Sequence, residues 1–453
     1  MSLDVRRPLG LVVLLVTFIP LIARAQGGAP AAPEERPTGL PSGVQWTFNF
    51  DAGAGGFGFR NSLFEDPKEG VKETFGDNWA EGFAKPAISG KVNGVAGGEL
   101  FGKFSVVGER TYASPPELVG PDESSFFPED AFIGWRSGKA IPALGDNGLE
   151  VTVGRAPFTI GHGLILWDGA AEGGSRGGYW SNARKAWAFA TIGRIKTGPN
   201  TLEAFYLKKD ELPERITDTR LWGGNYEFRP GARNTFGATY LHLWANPAVS
   251  PQRNDLNVYN LRAYTAPVPM VPDVTVDAEY VWERNQDRLH ADAWTAQGAY
   301  ELSMVTWKPK FTYRYAFFQG DDPSTTRNEA FDPLLLGFSD WGYWWQGEIA
   351  GEYFLSNSNL ISHMVRAHVT PNDSIGAGAM YYKFLLDQPG SFAPGVTDRH
   401  LLDEIDGYCD WKINKNFTAS FVLAFAHPEL AAQQAFNRTQ NFRYGMVFLA
   451  YSY

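Results

Sequence analysis

The charged residues of this chain come in columns with strand spacing. Asp277, Glu279 and Glu283 lie an even number of residues apart, and so do Lys308, Lys310 and Arg314. Successive side chains of a β-strand point to opposite faces, so even spacing puts each set on one face. Glu348 and Glu352 are expected on the next strand, and Arg366 with His368 on the one after. Arg136 projects to the same side earlier in the chain. Opposed columns of charge on the wall of a hydrated bore set a transverse field and select what passes. The same groups could instead neutralise one another as ion-paired packing in a plugged or narrow bore, and the residues alone leave both readings open. Carboxylates at every second position make a wall, whereas acid/base catalysis needs two carboxylates in distinct environments.

Other chemistry is weaker. Gly173-Gly174-Ser175-Arg176-Gly177 matches G-x-S-x-G, but it lies in a glycine-rich stretch and no strand-to-helix elbow surrounds it. The seven histidines include no pair at metal-ligand helical spacing, and His363 and His368 fall on opposite faces of one strand. The expectation is a chain with no catalytic residues, no cofactor and no metal.

The elements that carry the columns alternate with a period of two. Val44, Trp46, Phe48 and Phe50 oppose Gln45, Thr47, Asn49 and Asp51. Val274, Val276, Ala278, Tyr280 and Trp282 oppose the acidic column, and Trp307, Phe311, Tyr313, Tyr315 and Phe317 oppose the basic one. Trp294 to Leu302, Ile405 to Ile413 with Glu404, Asp406 and Asp410 facing the other way, and Phe417 to Phe425 repeat the pattern. The runs are long for soluble strands, and aromatics stand at their ends, as in an interfacial girdle.

Arg6 and Arg7, an apolar run from Leu9 to Ile22, and Ala23-Arg24-Ala25 have the order of a cleaved signal peptide over residues 1–25. Its removal takes the formal charge from −10 to about −12, and no basic nucleic-acid surface is present. Residues 26–43, rich in Pro, Gly and Ala, read as a flexible periplasmic leader. With one cysteine, Cys409, the exported chain has no intramolecular disulfide. Connections are tight near 229–234, 370–373 and 414–416, and long near 61–84, 114–129, 161–183, 319–341, 386–399 and 427–440. The expectation is an all-β transmembrane antiparallel barrel over residues 44–453, with 18 strands (16 as the alternative), short periplasmic turns and long extracellular loops.

Leu149 to Gly163, with Gly154-Arg155 at the end of a strand, an apolar piece and then Leu166-Trp167-Asp168-Gly169, resembles the strand-Gly-Arg-loop segment of the alginate-export family of outer-membrane barrels. The closing run from Asn441 to Tyr453 is also similar, and it resembles the terminal strand recognised by the barrel assembly machinery. The resemblance implies an 18-stranded conduit for polysaccharide or other solutes, with Gly154 and Arg155 as the matching motif residues and room for periplasmic export components as partners. The mixed-sign bore departs from the arginine-rich lumen of the family's polyuronate conduits. The function expected is a passive outer-membrane channel, in contact with outer-membrane lipid, for polysaccharide, anionic saccharide or other small polar solutes. Lys308, Lys310, Arg314 and Arg366 would favour anions, and Asp277, Glu279, Glu283, Glu348 and Glu352 would oppose them. The rivals are a plugged barrel that binds an extracellular partner and, further off, an outer-membrane enzyme.

Overall fold

The computed structural model describes residues 44–453 except 64–77, 114–122, 168, 171–175, 182, 214–215, 269, 287, 338–340, 342, 344–345 and 354. The signal peptide, the leader, Asp168 and most of the G-x-S-x-G motif lie outside the described residues.

Eighteen strands among the described residues form one antiparallel sheet closed on itself. The first half of the chain supplies β1 (Val44–Arg60), β2 (Asn78–Val95), β3 (Gly98–Tyr112), β4 (Ser124–Arg136), β5 (Leu149–Arg155), β6 (Phe189–Thr197), β7 (Asn200–Lys208), β8 (Arg220–Gly231) and β9 (Asn234–Trp244). The second half supplies β10 (Leu256–Thr265), β11 (Val274–Asn285), β12 (Leu289–Glu301), β13 (Lys310–Phe318), β14 (Leu360–Asn372), β15 (Ile375–Leu386), β16 (His400–Lys412), β17 (Phe417–Pro428) and β18 (Phe442–Ser452). Each strand pairs with its neighbour in sequence, and β18 pairs with β1 from Asp51↔Ser452 to Arg60↔Arg443. Phe50 and Tyr453 exchange backbone hydrogen bonds at 3.0 Å, so the terminal aromatic residue completes the seam. Closure satisfies the backbone groups that an open edge would leave bare in lipid.

The period-two faces fall as the alternation predicts. Leu423 is 63% exposed while its neighbour Val422 is 2% exposed. Trp46, Phe48, Tyr280, Trp294, Phe311, Tyr313, Ile405 and Phe425 also turn their side chains outward. An apolar exterior around a closed, edgeless sheet is the surface of a membrane barrel, crossed by strands. No helix among the described residues is long and apolar enough to cross a membrane. The start of β1, the end of β18 and the tight β6–β7, β8–β9, β14–β15 and β16–β17 turns mark one mouth. The long connections, including one with the short helix α1 (Leu430–Phe436), mark the other.

Three predicted residues move. β13 begins at Lys310, so Lys308 lies in the β12–β13 turn, exposed and with φ of 43°, outside the strand column. Glu348 and Glu352 are on no strand: the connection after β13 runs from 319 to 359, and Glu348 belongs to a single π-turn, Gly347–Gly351, that Glu352 follows. Their spacing of four residues fits one face of a strand or of a helical turn equally, and the turn is what forms.

Gly154 has φ of 126°, and a Cβ built on it would stand 2.4 Å from the Ala131 carbonyl oxygen. That backbone breaks the strand parity. Val151 and Val153 face outward, yet the Arg155 guanidinium turns into the bore to reach the Glu129 carbonyl at 2.9 Å. Replacing Gly154 by alanine forces both a clash and a disfavoured φ, which together cost on the order of 1–3 kcal/mol. A lower temperature for loss of the compact electrophoretic form is the expected result.

Candidate functional site

The bore is occupied at its long-loop end by the described residues of two connections that fold inward, 156–188 and 319–359. A loop in a dry bore must find acceptors for its backbone N–H groups. Here the wall supplies carboxylates. Glu81 on β2 accepts from the N–H of Trp180 and Ser181, each at 2.9 Å. Glu109 on β3 accepts from Ala183 at 2.6 Å, and Glu129 on β4 from Lys185 at 2.5 Å and Ala186 at 2.9 Å. Hydrogen bonds to a charged acceptor are about twice as strong as neutral ones. A break in register between Phe104 and Val106 bulges β4, so that the adjacent Glu129 and Asp130 are both buried inside. Lys103 stands 2.9 Å from Asp130, and Lys85 stands 3.7 Å from both carboxylates.

Beside this wall, Arg184 and Arg176 from the loop and Arg155 from β5 converge on Asp210. The Arg155–Asp210 contact is 2.5 Å and the Arg176–Asp210 contact 3.5 Å. Burial works against the ionised Asp210 carboxyl, but the charges of Arg184, Arg155 and Arg176 outweigh it and hold the group below the ordinary carboxylate range.

The 319–359 loop leans on the opposite wall by the same device. Asp332 N–H donates to Glu283 at 2.8 Å, and Tyr343 OH to Asp277 at 2.7 Å. Trp341 Nε1 donates to Asp410 at 2.8 Å. At the π-turn, Ile349 and Ala350 N–H donate to Glu404 at 2.7 and 2.8 Å, and Glu348 N–H donates to Asp406 at 3.3 Å. Gly347, with φ of 87°, makes this approach feasible, because a Cβ there would stand 2.5 Å from the Glu404 carboxylate. The loops also meet each other. Trp167 N–H donates to the Leu335 carbonyl at 2.8 Å, Gly337 N–H to Gly163 at 2.9 Å, and Tyr179 OH to the Glu352 carbonyl at 3.1 Å. His162 stacks on Tyr343 with ring centroids 4.1 Å apart.

The predicted columns therefore divide. Asp277 and Glu283 do line the bore, as loop anchors, while Glu279 holds Asn260 at 3.1 Å and the Tyr264 hydroxyl. Arg314 is inward and buried, near Tyr382, Tyr343 and Arg366. Arg366 Nε donates to Tyr408 OH at 2.8 Å, and its guanidinium also holds the Trp341 carbonyl, so this cation positions the loop too. Lys310 begins β13 between Glu301 and His368 in register. Arg136 lies between Glu99 at 3.5 Å and Glu150 at 3.6 Å, its guanidinium 4.3 Å from the Phe101 ring.

Below the loops, toward the short-turn mouth, lies a cavity of about 470 Å³. Thr159, Gly161 and His162 bound it on the loop side, and Arg194, Lys196, Glu203, Glu227, Arg229 and Tyr264 are among its wall residues. Arg194 bridges Glu203 at 2.5 Å and Glu150 at 2.9 Å, and Arg262 pairs with Glu227 at 2.8 Å. The cavity is polar and of mixed sign, suited to a small hydrated or charged solute.

Glu81, Glu109, Glu129, Asp130 and Asp210 belong to no motif or charge column in the sequence that marks them as functional. Alternation alone would mark Glu81 and Glu109 as inward-facing. No periodic signal could place Glu129 and Asp130 together inside, because a bulge is a departure from the period. Glu404 and Asp406 were legible as inward-facing, but the loop that they grip was not.

No family model and no curated protein matches the chain. Solved structures do. Acinetobacter baumannii OccAB2 is similar with a TM-score of 0.57 at 10% identity over 90% of this chain and 98% of that one. Pseudomonas aeruginosa OccK7 (OpdD) gives 0.52 at 10% identity over 91% and 99%. The outer membrane protein opdK from Pseudomonas aeruginosa gives 0.53 at 11% identity over 90% and 98%. At such identities the likeness establishes the fold, a closed outer-membrane β-barrel. It does not extend to the alginate-export resemblance.

Proposed function

We propose that the protein is a loop-constricted channel of the bacterial outer membrane that passes small polar solutes by diffusion. The observation that carries this reading is the pair of inward loops above a polar cavity, inside a closed barrel with an apolar exterior. Such an arrangement filters by size at the loops and by charge below them. Similarity to a protein described as an outer membrane protein supports the location. Insertion by the barrel assembly machinery, inferred from the closing aromatic strand, belongs to the same proposal. The cavity wall carries Arg194, Lys196 and Arg229 against Glu203 and Glu227, which favours a modest preference for anions. A polysaccharide chain would need both loops to leave the bore, so small solutes fit the observed arrangement better than a polymer.

The buried loop-to-wall contacts favour a second reading, a plugged barrel that opens only when a partner engages its loops. Planar-bilayer recording separates the two. The first reading expects a small, steady conductance. It also expects a reversal potential under a salt gradient that moves toward cation selectivity when Arg194, Lys196 and Arg229 are replaced together by glutamine. A folded barrel that never conducts transfers the weight to the plug.

A further inference from the structure

The outer rim of the barrel carries a side-chain cluster that the channel reading leaves unused. His400, Asp403 and Glu429 bring potential ligand atoms within 4.8 Å of one another. Strand parity would put His400 and Asp403, three apart, on opposite faces. The break in register that sets Phe384 against Leu402 and Leu385 against His400 inserts an extra residue and brings both to the outer face. Asp403 lies directly across from His427 on β17, and Lys383 of β15 is its neighbour on the other side. Backbone bonds fix the ligand positions: Glu429 N–H donates to the Leu401 carbonyl at 2.9 Å, and His400 N–H to Asp398 at 2.8 Å.

The hydrogen bonds of the two imidazoles set their tautomers. His400 Nε2 lies 2.8 Å from Asp403 Oδ1, an acceptor, so the proton of a neutral ring sits there and Nδ1 carries the lone pair. His427 Nδ1 lies 2.7 Å from the Asn441 side-chain oxygen, also an acceptor, and its Nε2 carries the lone pair. Both lone-pair nitrogens lie near one carboxylate. His400 Nδ1 is 3.7 Å from Glu429 Oε2, and His427 Nε2 is 4.0 Å from Glu429 Oε1. Acceptors facing acceptors repel unless a cation stands between them.

We propose that His400, His427 and Glu429 bind a divalent transition-metal ion of the zinc type at the outer rim, with Asp403 as the residue that orients His400. A tetrahedral ion with bonds of about 2.0–2.1 Å has ligand edges of about 3.4 Å, so the 3.7 Å His400–Glu429 edge must close by about 0.3 Å and the 4.0 Å His427–Glu429 edge by about 0.6 Å. Imidazole with carboxylate suits zinc better than calcium or magnesium, which take all-oxygen shells. The Asp403–His400 pair matches the carboxylate–histidine arrangement that sets a ligand's tautomer and basicity. The ion ties the start of β16 to the end of β17 and to the entry of α1, pinning the 429–441 connection beside the mouth. On this reading the ligands come from neighbouring strands, a proximity that sequence spacing does not carry.

The test is zinc titration of the mature barrel, purified without a histidine tag and stripped with chelator, at pH 7.5. The proposal expects one ion per barrel. It expects at least a 100-fold loss of affinity in His400→Ala and in His427→Ala, a 10- to 100-fold loss in Asp403→Asn, and no change in His363→Ala, which lies on the outer face elsewhere. Heat-shifted electrophoretic mobility reports whether each variant is folded. Cobalt substitution gives a second readout, visible d–d bands of a tetrahedral nitrogen–oxygen site that vanish in the His400 and His427 variants. Absence of stoichiometric binding, or binding indifferent to both histidines, would falsify the proposal and leave protonated imidazoles paired with Glu429.

Discussion

Replacing Asp332 by alanine is expected to release the 319–359 loop and raise single-channel conductance several-fold while the barrel itself stays folded. Asp332 accepts from Arg253 Nε at 2.8 Å and from a second guanidinium nitrogen, and it accepts from the Leu334 N–H at 2.8 Å. Arg253 belongs to the β9–β10 connection, so this one carboxylate ties two loops together. Both side chains are close to fully buried. Burial pushes the Asp332 carboxyl up, but the Arg253 charge and its hydrogen bonds overcome that and hold it below the ordinary range. Its ion pair is therefore intact above the ordinary carboxylate pKa and fails as the pH falls through the lowered value.

Removing one partner of a buried pair costs about 3–5 kcal/mol, because the other charge is left uncompensated. That shifts the balance between docked and released loop by roughly two to three and a half powers of ten. The barrel ladder does not depend on the pair, so mobility of the folded form should survive. Replacing both partners, Arg253→Met with Asp332→Leu, removes the stranded charge and should bring conductance most of the way back. Planar-bilayer recording of the three proteins decides it. A folded Asp332→Ala barrel with wild-type conductance would show that the loop does not govern the path.

The contrast between wall and loop explains what the residues could tell in advance. Trp46 against Gln45, or Ile405 against Glu404 and Asp406, declares a face because a strand repeats every two residues and lipid rewards only one side. The closing run to Tyr453 declared the seam for the same reason. Nothing comparable governs a loop folded into a bore. The partners of Glu283 and Glu404 are backbone N–H groups, which every residue possesses, so no side-chain pattern marks Asp332 or Ile349 as their target. Departures from the period were equally hidden. The positive φ of Gly154 turns Arg155 inward, and the bulge at Glu129–Asp130 buries two adjacent acids. Lys308 failed for a simpler reason: the alternating run extends back beyond the point where the turn ends and β13 begins.

Glu348 should make the channel open as the pH rises. Its carboxyl is wholly buried in the docked loop, beside Asp406, with Glu404 and Asp410 also on the facing strand. Burial first, and the Asp406 charge second, push it well above the ordinary carboxylate value, against smaller opposing effects of Trp180 and Tyr444. The docked state thus holds a proton that the released, solvated loop gives up near a pKa of about 4.3. The sign follows from that difference. Docking is fully stabilised below the ordinary value and weakens as the pH climbs toward the raised one. Over that window a single linked proton shifts the docked-to-released ratio by up to about tenfold per pH unit. Glu348→Gln keeps the size and the N–H donated to Asp406 but has no proton to lose, so its conductance should stay low and lose this slope. Asp406 and Glu404 keep their hydrogen bonds to the turn in that variant, which isolates the contribution of Glu348. Conductance recorded from pH 5 to 9 in both proteins is the check. A flat wild-type profile, or an equal slope in Glu348→Gln, would mean that the proton on this buried acid does not hold the loop in the bore.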